Sequence, residues 1–113
     1  MGIRAVVVPL GVLLLALVAG PAWAELDADA ARALAKRNDC FKCHAIDKDK
    51  KAPAYRRIAA RLKTKSDAVE VIVEHITSGH MVQLQDGTDE KHRIIDTRDP
   101  NELKNIALWI LSL

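Results

Sequence analysis

Aromatic side chains are few: two Trp, one Tyr and one Phe in 113 residues. Cysteine is limited to two residues, three positions apart, which excludes a scaffold held by several disulfides. Charge of one sign is also lacking. A net charge of +2 and the absence of a recognition motif leave nucleic acid out of the expected partners. The chain has no internal repeat and no low-complexity tract, and its length holds one domain rather than a multidomain enzyme. No alternation of period two runs long enough to read as a strand, so the expected fold class is all-α.

What is present begins with an apolar leader. Arg4 precedes the run Ala5 to Gly20, which Pro21, Ala22, Trp23 and Ala24 close. A positive start, an apolar stretch and an A-x-A end describe a secretory signal peptide, residues 1–24, cut before Glu25. Pro9, Gly11, Gly20 and Pro21 interrupt the stretch, against an uncleaved span. A membrane role is expected only if the leader stays attached. Residues 25–113 are then the exported domain, and the expected location is the periplasm. With one each of Met, Trp, Tyr and Phe, these residues offer a thin core.

Four helices are expected there. The first runs from about Leu26 to Arg37, with acids at its start, bases at its end, and Ala31, Leu34 and Ala35 on one face. The second runs from Pro53 to about Leu62, with Tyr55, Ile58, Ala59 and Leu62 at helical spacing. The third opens at Ser66 as N-cap, carries Val69, Ile72, Val73 and Ile76, and stops at Gly79. Its abundance of apolar residues allows packing on two sides, or a small dimer or enzyme-docking patch. The fourth has Asp99 as N-cap, Pro100 at its first position and Glu102 completing a box-like start. Its buried stripe is Leu103, Ile106, Ala107, Ile110 and Leu111, with Trp109 beside it. Residues 80–98 read as one long loop containing His80, Met81 and His92.

Cys40-Phe41-Lys42-Cys43-His44 carries the chemistry. C-x-x-C-H in an exported chain reads as the attachment site of one haem c. Two intervening residues set the two sulfurs at the separation of the porphyrin vinyl groups. The next residue, His44, then lies where it can ligate the iron from the proximal side. Covalent links hold a haem that the protein is too small to enclose, and the haem fills the thin core. A thioredoxin-type redox pair would bring a βαβ pattern, which is absent. A structural disulfide would not need His44. A zinc site would need a finger-like histidine pair, and His75, His80 and His92 do not supply one at the usual place.

The run CFKCHAIDKDKKAPAYRRIAARL, with the closing ALWILSL, resembles the small class I cytochromes c of bacterial respiratory chains. The resemblance covers about residues 26–79 and 95–113. It implies about four helices around one covalently attached haem, with the first and last helices crossed. It also implies that Pro53 lies against His44 and offers a carbonyl to its ring N–H, fixing the tautomer. Ala52 stands where such proteins usually have Gly. The larger departure is distal. These cytochromes place a Met flanked by prolines before the last helix, and here Lys91-His92-Arg93 stands in that place. His92 lies 17 positions before Trp109, and Met81 lies 28 before it. His92 is the expected distal ligand, Met81 the second choice and His80 the third; an open or weakly held sixth position is the remaining alternative.

The expected function follows: a periplasmic monohaem electron carrier between respiratory redox partners, not an enzyme, and a monomer. The alternatives are a haem protein whose open sixth site binds or reduces a small molecule, and a cytochrome subunit of a larger oxidoreductase. From Lys36 to Lys65 there are eleven Lys/Arg against three Asp. That basic segment surrounds the attachment motif and is the expected docking surface for an acidic redox partner.

Overall fold

The computed structural model describes residues 1–16 and 25–113. Residues 1–16 are exposed and form no regular structure. The expected cleavage point before Glu25 involves residues that lie outside the described ones. Among the described residues no helix is long and apolar enough to cross a membrane.

The described residues hold five helices and one hairpin: α1 (Ala28–Arg37), α2 (Cys40–Cys43), α3 (Tyr55–Leu62), α4 (Ala68–Ser78), β1 (Met81–Gln83), β2 (Asp89–Lys91) and α5 (Pro100–Leu111). The expectation of four helices missed the single turn α2. Asp27 caps α1 by accepting from the Ala30 N–H at 2.9 Å. The cap is tied to α5 as well: Asp27 N–H donates to Asn105 Oδ1, and Asn105 Nδ2 donates to the Asp27 carbonyl. Ala31, Ala35 and Ala107 have no exposed surface, and such small side chains let α1 and α5 approach closely in the core.

Two start signals act differently from expectation. Asp67, not Ser66, holds the N-cap position of α4, and it makes no side-chain cap bond. At α5 Asp99 does cap, accepting from the Asn101 N–H, but the Asp99 N–H goes to Thr97 Oγ1 and not to Glu102. The local Thr97 hydroxyl reaches that donor first, and the box stays half-formed. Helix α3 starts at Tyr55, after Ala54, whose ψ of 144° is not helical. Its first N–H groups are satisfied from outside the helix, Tyr55 by the Ala45 carbonyl and Arg56 by that of Ile46.

Residues 80–98 are not one loop. Met81, Val82 and Gln83 pair antiparallel with Lys91, Glu90 and Asp89. The turn contains Asp86-Gly87, with Gly87 at φ 87° and Asp86 accepting from the Thr88 N–H. The Asp-Gly pair is a hairpin signal in its own right, but strands of three residues are too short to show an alternating pattern. The fold is mostly helical with this small antiparallel sheet. The core joins α1, α3, α4 and α5 around Trp109, which is buried and not peripheral to the α5 stripe. Phe41 and Tyr55 meet Trp109 edge to face at 6.3 and 5.6 Å.

Candidate functional site

A cavity of about 590 Å³ opens between α2, α3, α4 and the segment from the hairpin to Ile95. Its volume falls in the range of cofactor pockets. On one wall Asp39 turns the chain in the left-handed region, φ 58°, and starts the short helix α2. That turn brings Cys40 and Cys43 to the cavity, both half-buried and unpaired. Burial pushes the Cys40 thiol above its ordinary value, and a hydrogen bond with Tyr55 and the Arg93 charge partly oppose this.

His44 ends α2 with extended backbone. Its Nδ1 lies 2.7 Å from the Pro53 carbonyl, the contact of a ring N–H donating to that oxygen. The ring stacks on Tyr55, with centroids 4.8 Å apart and planes 14° apart. So the imidazole is fixed from its edge and from its face, and Nε2 is left free. Burial holds His44 below its ordinary pKa, and the Pro53 carbonyl partly offsets this. A neutral imidazole is the form that binds a metal. Tyr55, read from the sequence only as a core position, is thus part of the wall.

Across the cavity stands His92, half-buried, with its ring centre 6.4 Å from that of His44. Its Nδ1 faces the Arg93 carbonyl at 2.9 Å, which again leaves Nε2 free. Its segment is held at both ends. His92 N–H donates to the His80 carbonyl and Ile95 N–H to that of Ile76. Arg93 reaches Asp39 at 3.1 Å, at the turn that starts α2. Asp96 is gripped by Arg37 through two hydrogen bonds, at 2.9 and 3.1 Å, and by the buried Asn38.

The other distal candidates are elsewhere. Met81 is 66% exposed on β1 and does not line the cavity. His80 is exposed and its Nε2 lies 2.5 Å from Glu74. His75, which helical spacing alone did not single out, is on the cavity wall with its ring centre 4.3 Å from that of His92.

The donor set suits a haem: two thiols on one turn, an imidazole beside them with its tautomer fixed, and a facing imidazole over an apolar cavity. A mostly helical shell with that wall defines a haem protein of the c type. The comparisons with known proteins agree. The family model "Cytochrome c" matches residues 28–113. Cytochrome c-552 of Nitrosomonas europaea is 40% identical over 98 residues, covering 86% of this chain and 85% of that protein. Cytochrome c-551 of Pseudomonas aeruginosa is 30% identical, covering 85% of each. Among solved structures, the class 1 cytochrome MtoD of Sideroxydans lithotrophicus ES-1 superposes with a TM-score of 0.74. It is 42% identical, over 77% of this chain and 96% of that one. The chain belongs to the cytochrome c family and is a small bacterial class I cytochrome c. It carries one covalently attached haem c, and it is an electron carrier rather than an enzyme.

Proposed function

We propose that this cytochrome is a periplasmic electron shuttle between respiratory redox partners, with two histidines on its haem iron. Cys40 and Cys43 hold the haem through thioether bonds, His44 is the proximal ligand and His92 the distal one. Bound there, the haem supplies a single iron that cycles between ferrous and ferric. Pro53 and Tyr55 keep the His44 ring aimed, and the Arg93 carbonyl does the same for His92.

The observation that carries the reading is the pairing of His44 and His92 at 6.4 Å. That separation leaves room between the rings for a metal ion, which His44 and His92 would each hold through one ring nitrogen at about 2 Å. Both rings also have Nδ1 occupied by a backbone carbonyl, so both offer Nε2. A second imidazole in place of Met lowers the potential, so the protein passes electrons on at a lower potential than a Met/His carrier.

Residues 1–24 are the signal peptide in this reading, and the mature protein starts at Glu25. The eleven Lys/Arg between Lys36 and Lys65 are all exposed. Four of them, Arg37, Lys42, Arg56 and Arg57, are in ion pairs. The others give an acidic partner a basic approach to the Cys40–His44 side.

The test is an optical spectrum of the purified protein, oxidised, reduced, and reduced with carbon monoxide. Two imidazoles give a low-spin spectrum with no far-red sulfur band and no response to carbon monoxide. A far-red band would assign Met81 and overturn the His92 role. Immediate carbon monoxide binding would establish an open sixth site instead. The mass and N-terminal residue of the exported protein test the leader.

A further inference from the structure

One imidazole on the cavity wall has no part in the reading above. His75 stands on α4 between Ile72 and Ile76, with its ring 4.3 Å from that of His92 and the planes 56° apart. Among the described hydrogen bonds it has none, whereas His80 is engaged by Glu74 and His92 by the Arg93 carbonyl. It is therefore a free nitrogen donor beside the distal ligand, with no competing partner to hold it away.

We infer that His75 is a second distal imidazole: it takes the distal position on the haem iron when His92 leaves it, and so keeps the iron closed to small molecules. The inference rests on the proposed haem reading with His92 as the first ligand. The two rings are carried by different kinds of backbone. His92 sits on an irregular strap tied to the His80 carbonyl and, through Arg93, to Asp39. His75 rides on an 11-residue helix. Loosening of the strap moves His92 and leaves the base of His75 in place. The two side-chain torsions of a histidine then carry its ring across several ångström, about the present gap between the rings. The exchange breaks one iron–nitrogen bond and forms one. No electron and no net proton move when both rings are neutral.

The test uses the haem-loaded protein and its variants His92→Ala, His75→Ala and the double variant. The readouts are the spin state and carbon monoxide binding to the reduced form. The expected result is that His92→Ala stays low-spin, His75→Ala resembles the parent, and the double variant turns high-spin and binds carbon monoxide. If His75 occupies the iron about nine-tenths of the time, His92→Ala binds the gas about tenfold more weakly than the double variant. Added imidazole should restore the low-spin spectrum of the double variant, which shows that its distal cavity is intact. A His92→Ala protein that is high-spin and binds carbon monoxide as tightly as the double variant overturns the inference, while a low-spin parent leaves the haem reading standing. A parent with a sulfur band or an open site overturns that reading first, and the inference with it.

Discussion

Replacing Asn38 by Ala should weaken this protein more than its surface-like sequence context implies. Asn38 follows α1 and is 1% exposed. Its Nδ2 donates to the Leu34 carbonyl at 2.9 Å and to Asp96 Oδ1 at 3.0 Å, and its Oδ1 accepts from the Asp96 N–H at 2.9 Å. Each such bond contributes about 1 kcal/mol net. Leu34 keeps a second donor, the Asn38 N–H, so its carbonyl is not orphaned in the variant. Water can also reach the exposed Asp96 carboxylate. The expected loss is therefore about 2 kcal/mol rather than 3. For a domain of this size that lowers the melting temperature by about 10 °C. Guanidinium and thermal unfolding of the haem-loaded protein, followed by far-UV circular dichroism, measure it. The functional consequence is separate. Asp96 anchors the strap that carries His92, so in the His75→Ala background, where no second imidazole closes the iron, adding Asn38→Ala should let the reduced protein bind carbon monoxide faster. A loss below about 0.5 kcal/mol, the range of ordinary surface changes, would refute the account. So would additive effects of Asn38→Ala and Asp96→Ala, because the latch requires the two changes to be non-additive.

Three further outcomes are expected. Hydrogen bonds from Arg37 and then Asn38 hold the Asp96 carboxyl down to about 2. Its contribution is complete above the usual carboxylate pKa near 4 and is lost as pH falls from about 4 to 2, so Asp96→Asn should flatten that part of an acid titration followed by circular dichroism. An unchanged acid limb would count against it. Gly79→Ala meets φ 70° and places a Cβ 2.7 Å from Lys91 Cε and 3.0 Å from Ile94 Cδ1, whereas Gly87→Ala at φ 87° meets nothing within 4 Å. Each backbone strain costs about 1 kcal/mol, and Gly79→Ala should melt lower than Gly87→Ala because of the added contacts. Tyr55→Phe keeps the stack on His44 and the edge contacts to Phe41 and Trp109, while Tyr55→Leu loses them. Unfolding measurements should give about 2 kcal/mol for Leu and much less for Phe. Equal losses would mean that the hydroxyl, not the ring, matters.

The sequence by itself determined what depends on near neighbours along the chain. The C-x-x-C-H spacing lies within about one helical turn, so its chemistry could be read without the fold. Caps and apolar periods act over three or four positions. Accordingly the Asp99 cap, the acids at the start of α1, the buried faces of α1 and α5, and a mostly helical class were all legible, whereas the capping role of Asp27 was not. Signals of equal reach competed at Ser66 and Glu102, and there the local reading failed. The tertiary structure alone decided which side chains face one another across the cavity. His44 and His92 are 48 positions apart in the chain. What brings them opposite each other is the contact of Asn38 with Asp96 and of Asp39 with Arg93, separated by 58 and 54 positions. The same long-range contacts, with the β1–β2 pairing, turn Met81 outward and set His75 beside His92. Closing such loops sums many weak terms from distant parts of the chain, and no window of local sequence contains that sum.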